Sequence, residues 1–181
     1  GGEWIECRIL SSGSRTNPWM QESSNKIIQD GEIVSFDTDM VGPYGYCADI
    51  SRAFVCGNKF NENQKKLYQT AVEQIDYNSR LIKAGVTFKE FTEKAWILPS
   101  KYYGNRYSVM LHGIGLCDEW PAIRYPTDGG ERGGTFQKNM TITLESYIGE
   151  VGGNEGVKLE QQYLVGENGL ELMSHHPLEK I

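Results

Sequence analysis

Residues 3–10, Glu3-Trp4-Ile5-Glu6-Cys7-Arg8-Ile9-Leu10, alternate between polar and apolar and read as a strand. Ser11-Ser12-Gly13-Ser14-Arg15-Thr16-Asn17-Pro18 is turn chemistry. Gln29-Asp30-Gly31 signals a tight turn ahead of Ile33-Val34-Ser35-Phe36, which predicts a strand running into Asp37. Val41-Gly42-Pro43-Tyr44-Gly45 turns the chain, and residues 46–54 read as the return strand of a hairpin. Over residues 61–83 the period changes: Leu67, Tyr68, Ala71, Ile75, Leu81 and Ile82 recur at helical spacing, with Ala84-Gly85 as the stop. Thr87-Phe88-Lys89-Glu90 is a capping box opening a second helix that ends near Trp96, before Pro99. Residues 107–111 form a short strand leading into His112, and residues 127–134 a glycine-rich surface loop. Residues 141–145 and 156–160 are the strands of a second hairpin. The order ββααβββ predicts an α+β fold with a curved antiparallel sheet.

At 181 residues the chain predicts one domain with one core. Hydrophobic residues at 39%, charged residues at 23% and a mean hydropathy of -0.49 fit a soluble globular protein. No apolar run approaches the roughly 20 residues of a spanning helix, so no membrane partner is expected. The abrupt start in a strand predicts that this domain, residues 1–181, is truncated at its N-terminus. A net charge of -6 with scattered lysines argues against nucleic acid. Cys7, Cys47, Cys56 and Cys117 sit singly, without a signal-peptide h-region ahead of them. They read as reduced thiols in a cytoplasmic protein, several of them packed in the core.

The acids carry the chemistry. Asp37 and Asp39 are two apart on one predicted strand, so both face one side and can share an ion. The hairpin turn near Gly42-Pro43 returns Asp49 beside Asp39. Glu145 and Glu160 each end an apolar strand, where an ionised carboxylate costs several kcal/mol unless paired or on a metal. Lys158 is read as facing away from Glu160 and leaving it uncompensated. His112 is the one histidine apart from His175 and His176. Taken singly, the aspartates also suit a solvated acidic loop and His112 a hydrogen-bonded core position.

Phe36-Asp37-Thr38-Asp39, Gly45-Tyr46-Cys47-Ala48-Asp49-Ile50-Ser51-Arg52, His112-Gly113-Ile114-Gly115-Leu116, Thr143-Leu144-Glu145 and Gly156-Val157-Lys158-Leu159-Glu160 together resemble the metal-ligand series of the pita-bread metallopeptidases, in order and spacing, across residues 8–165. The resemblance implies a pita-bread fold, creatinase- or aminopeptidase-like, with helices on the outer face of the sheet. It implies two divalent metal ions, iron first and zinc, manganese or cobalt otherwise, on Asp37, Asp39, Asp49, His112, Glu145 and Glu160. A homodimer is implied for the full-length form.

Three departures from the peptidase pattern redirect the expected reaction. Glu119 stands seven residues past His112, Ser108 four residues before it, and Trp19 follows Pro18, where peptidases of this fold carry proton-handling histidines. The same departures resemble the dimethylsulfoniopropionate lyases of this fold, which release acrylate and dimethyl sulfide. There an extra aspartate precedes the next ligand by two, as Asp37 precedes Asp39, and an aspartate six past the metal histidine is the base, matching Asp118. Tyr107 falls at a pocket tyrosine of that family, and Trp19 or Trp120 would face the sulfonium of this small-molecule substrate. Plain core packing is the other reading of these aromatics. The alternatives are an Xaa-Pro metallopeptidase and an inactive peptide-binding module of the same fold.

Overall fold

The computed structural model describes residues 1–57 and 59–181. Its strands are β1 (Trp4–Ile5), β2 (Leu10–Ser12), β3 (Ile33–Asp37), β4 (Met40–Val41), β5 (Cys47–Ala48), β6 (Ser51–Val55), β7 (Val109–Gly113), β8 (Ala122–Arg124), β9 (Thr141–Gly149), β10 (Gly156–Val165) and β11 (Leu170–Leu172). Three helices, α1 (Glu62–Ser79), α2 (Phe88–Lys94) and α3 (Ser100–Tyr103), separate β6 from β7. All strand pairs are antiparallel, in sheets ordered β1-β4-β5, β2-β3-β6 and β11-β10-β9-β7-β8. This is the α+β architecture the element order predicts.

The first strand is not continuous. Residues 3–10 split between β1, which joins β4, and β2, which joins β3, because the segment between them crosses from one sheet to the next under Asp39. The return strand is likewise broken into β5 and β6, with Asp49 in the gap. β9 and β10 run past Glu145 and Glu160, so both glutamates stand in mid-strand. The short β8, β11 and α3 have no periodic signature in the sequence.

Asn61 and Thr87 open α1 and α2 with complete capping boxes. α1 stops at Ser79, short of the Ala84-Gly85 stop, because Leu81 and Ile82 close tighter turns onto Asn78 and Ser79 and Ile82 drops into the core. Leu67, Tyr68, Ala71 and Ile75 of α1 pack with Leu111, Leu144, Ile148, Val157 and Leu159. Each large side chain so buried contributes roughly 1.5–3 kcal/mol. α1 thus covers one face of the β9–β10 ladder, with Ser146 Oγ donating to Gln74 Oε1 at 2.7 Å. Among the described residues no helix is long and apolar enough to cross a membrane. The four cysteines are free, and none is in the core: three are half-buried and Cys117 is exposed. They sit on loops and short edge strands instead of the core ladder, which corrects the expectation that several pack inside.

Candidate metal centre

Glu145 and Glu160 stand directly opposite one another in the β9–β10 ladder, and His112 pairs with Thr143, two residues before Glu145. Period-two alternation therefore puts all three on the face turned away from α1. His112 Nε2 lies 3.3 Å from Glu145 Oε1, 3.4 Å from Glu160 Oε1 and 3.8 Å from Asp49 Oδ2. Asp37 ends β3 opposite Ser51, but Asp39 has left the strand with φ at 29°. The two aspartates meet through the break in the hairpin, where Asp39 N–H donates to Asp49 Oδ1 at 3.3 Å, and not through a shared strand face. Asp37, Asp39 and Asp49 each present a donor atom within 4.8 Å of the others, and so do Asp49, His112 and Glu160. Asp49 belongs to both groups, and all six candidate ligands come together.

Lys158 corrects the sequence reading. It stands two residues before Glu160, not one, so it shares its face. Its Nζ lies 2.6 Å from Glu145 Oε2, 3.2 Å from Glu160 Oε2 and 3.7 Å from Asp37 Oδ2. Counting by two along the strand finds it. Ser51 was also missed: its Oγ donates to Asp37 Oδ1 at 2.5 Å, and the hairpin register that sets Ser51 against Asp37 is its signal. Cys7, whose thiol donates to Asp39 Oδ2 at 2.5 Å, carries no signal short of the fold. Arg52 holds the ladder from behind, donating to the Glu160 carbonyl at 2.7 Å.

The electrostatics are those of acids crowded out of water. Burial, with Glu160, Asp37 and Asp39 nearby, pushes Asp49 up to about 11. Burial and Asp37 raise Asp39 to about 6, and burial and Glu160 raise Glu145 to about 7. Burial also raises Asp37, against the pull of Lys158. Burial would raise Glu160 too, but Lys158 and His112 outweigh it and hold that carboxyl well below its usual range. Burial disfavours imidazolium at His112, yet Glu145 and Glu160 outweigh it and lift its pKa well above normal. Like charges this close repel unless protons or cations intervene. His112 Nε2 and Glu160 Oε1 are buried without a hydrogen-bond partner among the described residues, and an oxygen-rich set with one imidazole is a donor set for a divalent transition metal. The residues fit such an ion.

Asp37, Asp39, Asp49 and Glu145 open into a cavity of about 200 Å³, also lined by Glu6, Cys7, Ile9, Met20, Tyr107 and Glu119. Met20, Asp39 and Glu119 have positive φ, so backbone strain gathers at this cavity as it does at functional sites. Tyr107 Oη donates to Glu119 Oε1 at 3.2 Å. Asp118 is on the other side of the imidazole, its Oδ1 3.9 Å from His112 Nδ1 and its Oδ2 buried with no hydrogen-bond partner among the described residues. Burial raises Asp118 to about 6, against the pull of His112. Trp19 is buried outside the cavity lining, its ring tilted against Tyr147 at 6.0 Å between centroids and 5.2 Å from Lys158 Nζ, so core packing and a cationic partner coexist there. Trp120 is not brought to the ligands: it is 56% exposed and lines a separate apolar cavity of about 370 Å³ with Leu116 and Pro121. Its loop leaves the ladder after Gly113 and carries the indole outward.

The model of metallopeptidase family M24 matches residues 1–167. The chain belongs to that family. M24 membership agrees with the donor set, since the family is metal-dependent. Over 99% of its length the chain is 42% identical to the dimethylsulfoniopropionate lyase DddP of Roseovarius nubinhibens and 41% identical to that of Roseobacter denitrificans, covering 41% of each relative. It thus spans about two fifths of the length of these curated relatives. Among solved structures, the prolidase from Pyrococcus horikoshii OT3 superposes with a TM-score of 0.85 at 29% identity, over 100% of this chain and 51% of that one. The pita-bread M24 fold is therefore this chain's fold.

Proposed function

We propose that this chain is the metal-binding catalytic portion of a dimethylsulfoniopropionate lyase, converting that small zwitterion to acrylate and dimethyl sulfide by β-elimination. The observation that carries the reading is the cavity's proton chemistry. Among the described residues no histidine lines the cavity and His112 is the only one among the candidate ligands, while His175 and His176 are exposed near the C-terminus. Amide hydrolysis needs an acid for the departing amine, whereas an elimination releases a neutral sulfide and needs only a base. The likeness to two lyases, closer than that to the prolidase structure, supports the same choice.

Asp37, Asp39, Asp49, His112, Glu145 and Glu160 would hold two divalent ions, Asp49 being common to both donor groups. Iron is the first choice of metal, with zinc, manganese and cobalt as the others. Such ions, when bound, supply a Lewis acid that draws charge from a substrate carboxylate and acidifies the adjacent C–H. Asp118 takes that proton in this scheme; the C–H pair becomes the new C=C bond, and the C–S pair leaves with the sulfide. Its raised pKa and its unpartnered Oδ2 suit a base that must accept a proton. A second reading of the base rests on Glu119, which lines the cavity and accepts from Tyr107. Tyr107 lines the pocket and would contact the substrate, with Trp19 behind it beside Lys158. We further assign the full-length protein to the cytoplasm as a homodimer.

Headspace gas chromatography of the full-length protein with dimethylsulfoniopropionate is the test. Dimethyl sulfide and acrylate should appear in equal amounts, and Asp118→Asn should cut the rate about 10²-fold to 10⁴-fold with metal content intact. If Asp118→Asn releases sulfide undiminished and Glu119→Gln does not, the base is Glu119. Hydrolysis of Xaa-Pro dipeptides with no sulfide released would overturn the lyase reading.

A further inference from the structure

The Glu145 and Glu160 carboxylates each have two oxygens, and the two have different neighbours. Both Oε1 atoms face His112 Nε2, at 3.3 Å and 3.4 Å. Both Oε2 atoms face Lys158 Nζ, at 2.6 Å and 3.2 Å. The same ammonium donates to Ser51 Oγ at 2.6 Å and lies 3.7 Å from Asp37 Oδ2. The rings of Trp19 and Tyr107, 5.2 Å and 5.6 Å away, close its remaining sides, leaving the lysine 1% exposed. A lysine so far from water is sustained by its partners, and each partner here is a candidate ligand or touches one.

We propose that Lys158 is a positioning residue of the metal centre: a fixed counter-cation that holds Glu145 and Glu160 by their far oxygens and so aims their near oxygens, with His112 Nε2, at one metal position. The inference rests on the metal-centre reading above and adds a role within it. Charged and hydrogen-bonding partners behind metal ligands orient them and hold their charge, and here one ammonium hydrogen-bonds to Glu160 and pairs by charge with Glu145. The charges agree. Five carboxylates, one ammonium and two divalent ions sum to zero, a balance that suits a buried site and a substrate without net charge. The competing role is a stand-in that occupies metal space and is expelled on loading. The two roles predict opposite signs, since removing a stand-in tightens metal binding and removing a positioning residue weakens it.

The experiment titrates Mn²⁺ by calorimetry into chelator-stripped full-length protein, comparing the wild type with Lys158→Met and Lys158→Arg, with melting followed in chelator. Lys158→Met should bind Mn²⁺ about 10-fold to 100-fold more weakly and melt at a lower temperature. Lys158→Arg, which keeps the charge, should retain more of the affinity. Binding by Lys158→Met as tight as the wild type's, or tighter, overturns the proposal, and so does an equal loss in both variants. Lys158→Met that folds only in Mn²⁺ supports it; if it folds in neither buffer, Lys158→Arg against Lys158→Gln decides by the same criteria. A wild-type protein that takes up no Mn²⁺ fails the metal-centre reading itself, a result distinct from any difference among the variants.

Discussion

Glu145 and Glu160 sit in mid-strand on the β9–β10 ladder, directly paired and fully buried beneath neighbouring strands. Asp37, Asp39 and Asp49 come instead from a hairpin that breaks between two sheets, with Asp39 at a positive φ and only half-buried. The glutamate edge is fixed by register, which a slip of one residue would turn inside out, and it carries its own cation in Lys158. The aspartate edge depends on local turns and on whatever charge it gathers. A dinuclear centre of this kind joins a rigid half to an adaptable one, and the contrast ranks the consequences of substitution.

The largest effect is expected on the rigid edge. Glu160→Gln removes a carboxylate opposite Glu145, next to His112 and beneath Lys158, and should abolish metal retention through gel filtration as well as sulfide release, with metal content read by plasma mass spectrometry. Asp39→Asn, on the adaptable edge, should fold normally and lower metal affinity by less, about 10-fold to 100-fold. Equal losses at both positions would erase the distinction between the edges. A smaller, graded effect follows from pH. In the metal-free protein Asp49 and His112 hold protons at neutrality because their pKa values are raised, Asp49 to about 11 by burial and its acidic neighbours. A metal ion must displace those protons, so affinity should rise from pH 6 to pH 8, by about tenfold per pH unit for each proton released. Chelator competition at the two pH values measures it, and a flat response would contradict the protonation assigned to the site.

The same contrast governs what the sequence discloses. Both glutamates, His112, the span of α1 and the capped start of α2 are legible because regular periods and the Thr87 capping box are local signals. The split of residues 3–10, the gap at Asp49 and the early end of α1 are not, since each reflects a choice between competing tertiary partners. Lys158 was legible and misread: two residues on a strand share a face, and its charge answers the burial that made Glu160 look uncompensated. Cys7 and Asp118 reach Asp39 and His112 only through loop paths that no periodicity encodes. Trp120 shows the converse, an aromatic near the motif that the loop carries away from the ligands.

The central claim is that five acids and one imidazole meet around a pair of cations. Metal analysis of the full-length protein, purified without chelator and compared with Glu160→Gln, tests it most directly. The account predicts about two divalent transition-metal ions per chain in the wild type and a loss of both in the variant. A folded wild-type protein that carries no bound ion and takes none up from buffer containing Fe²⁺, Mn²⁺, Co²⁺ or Zn²⁺ would contradict it.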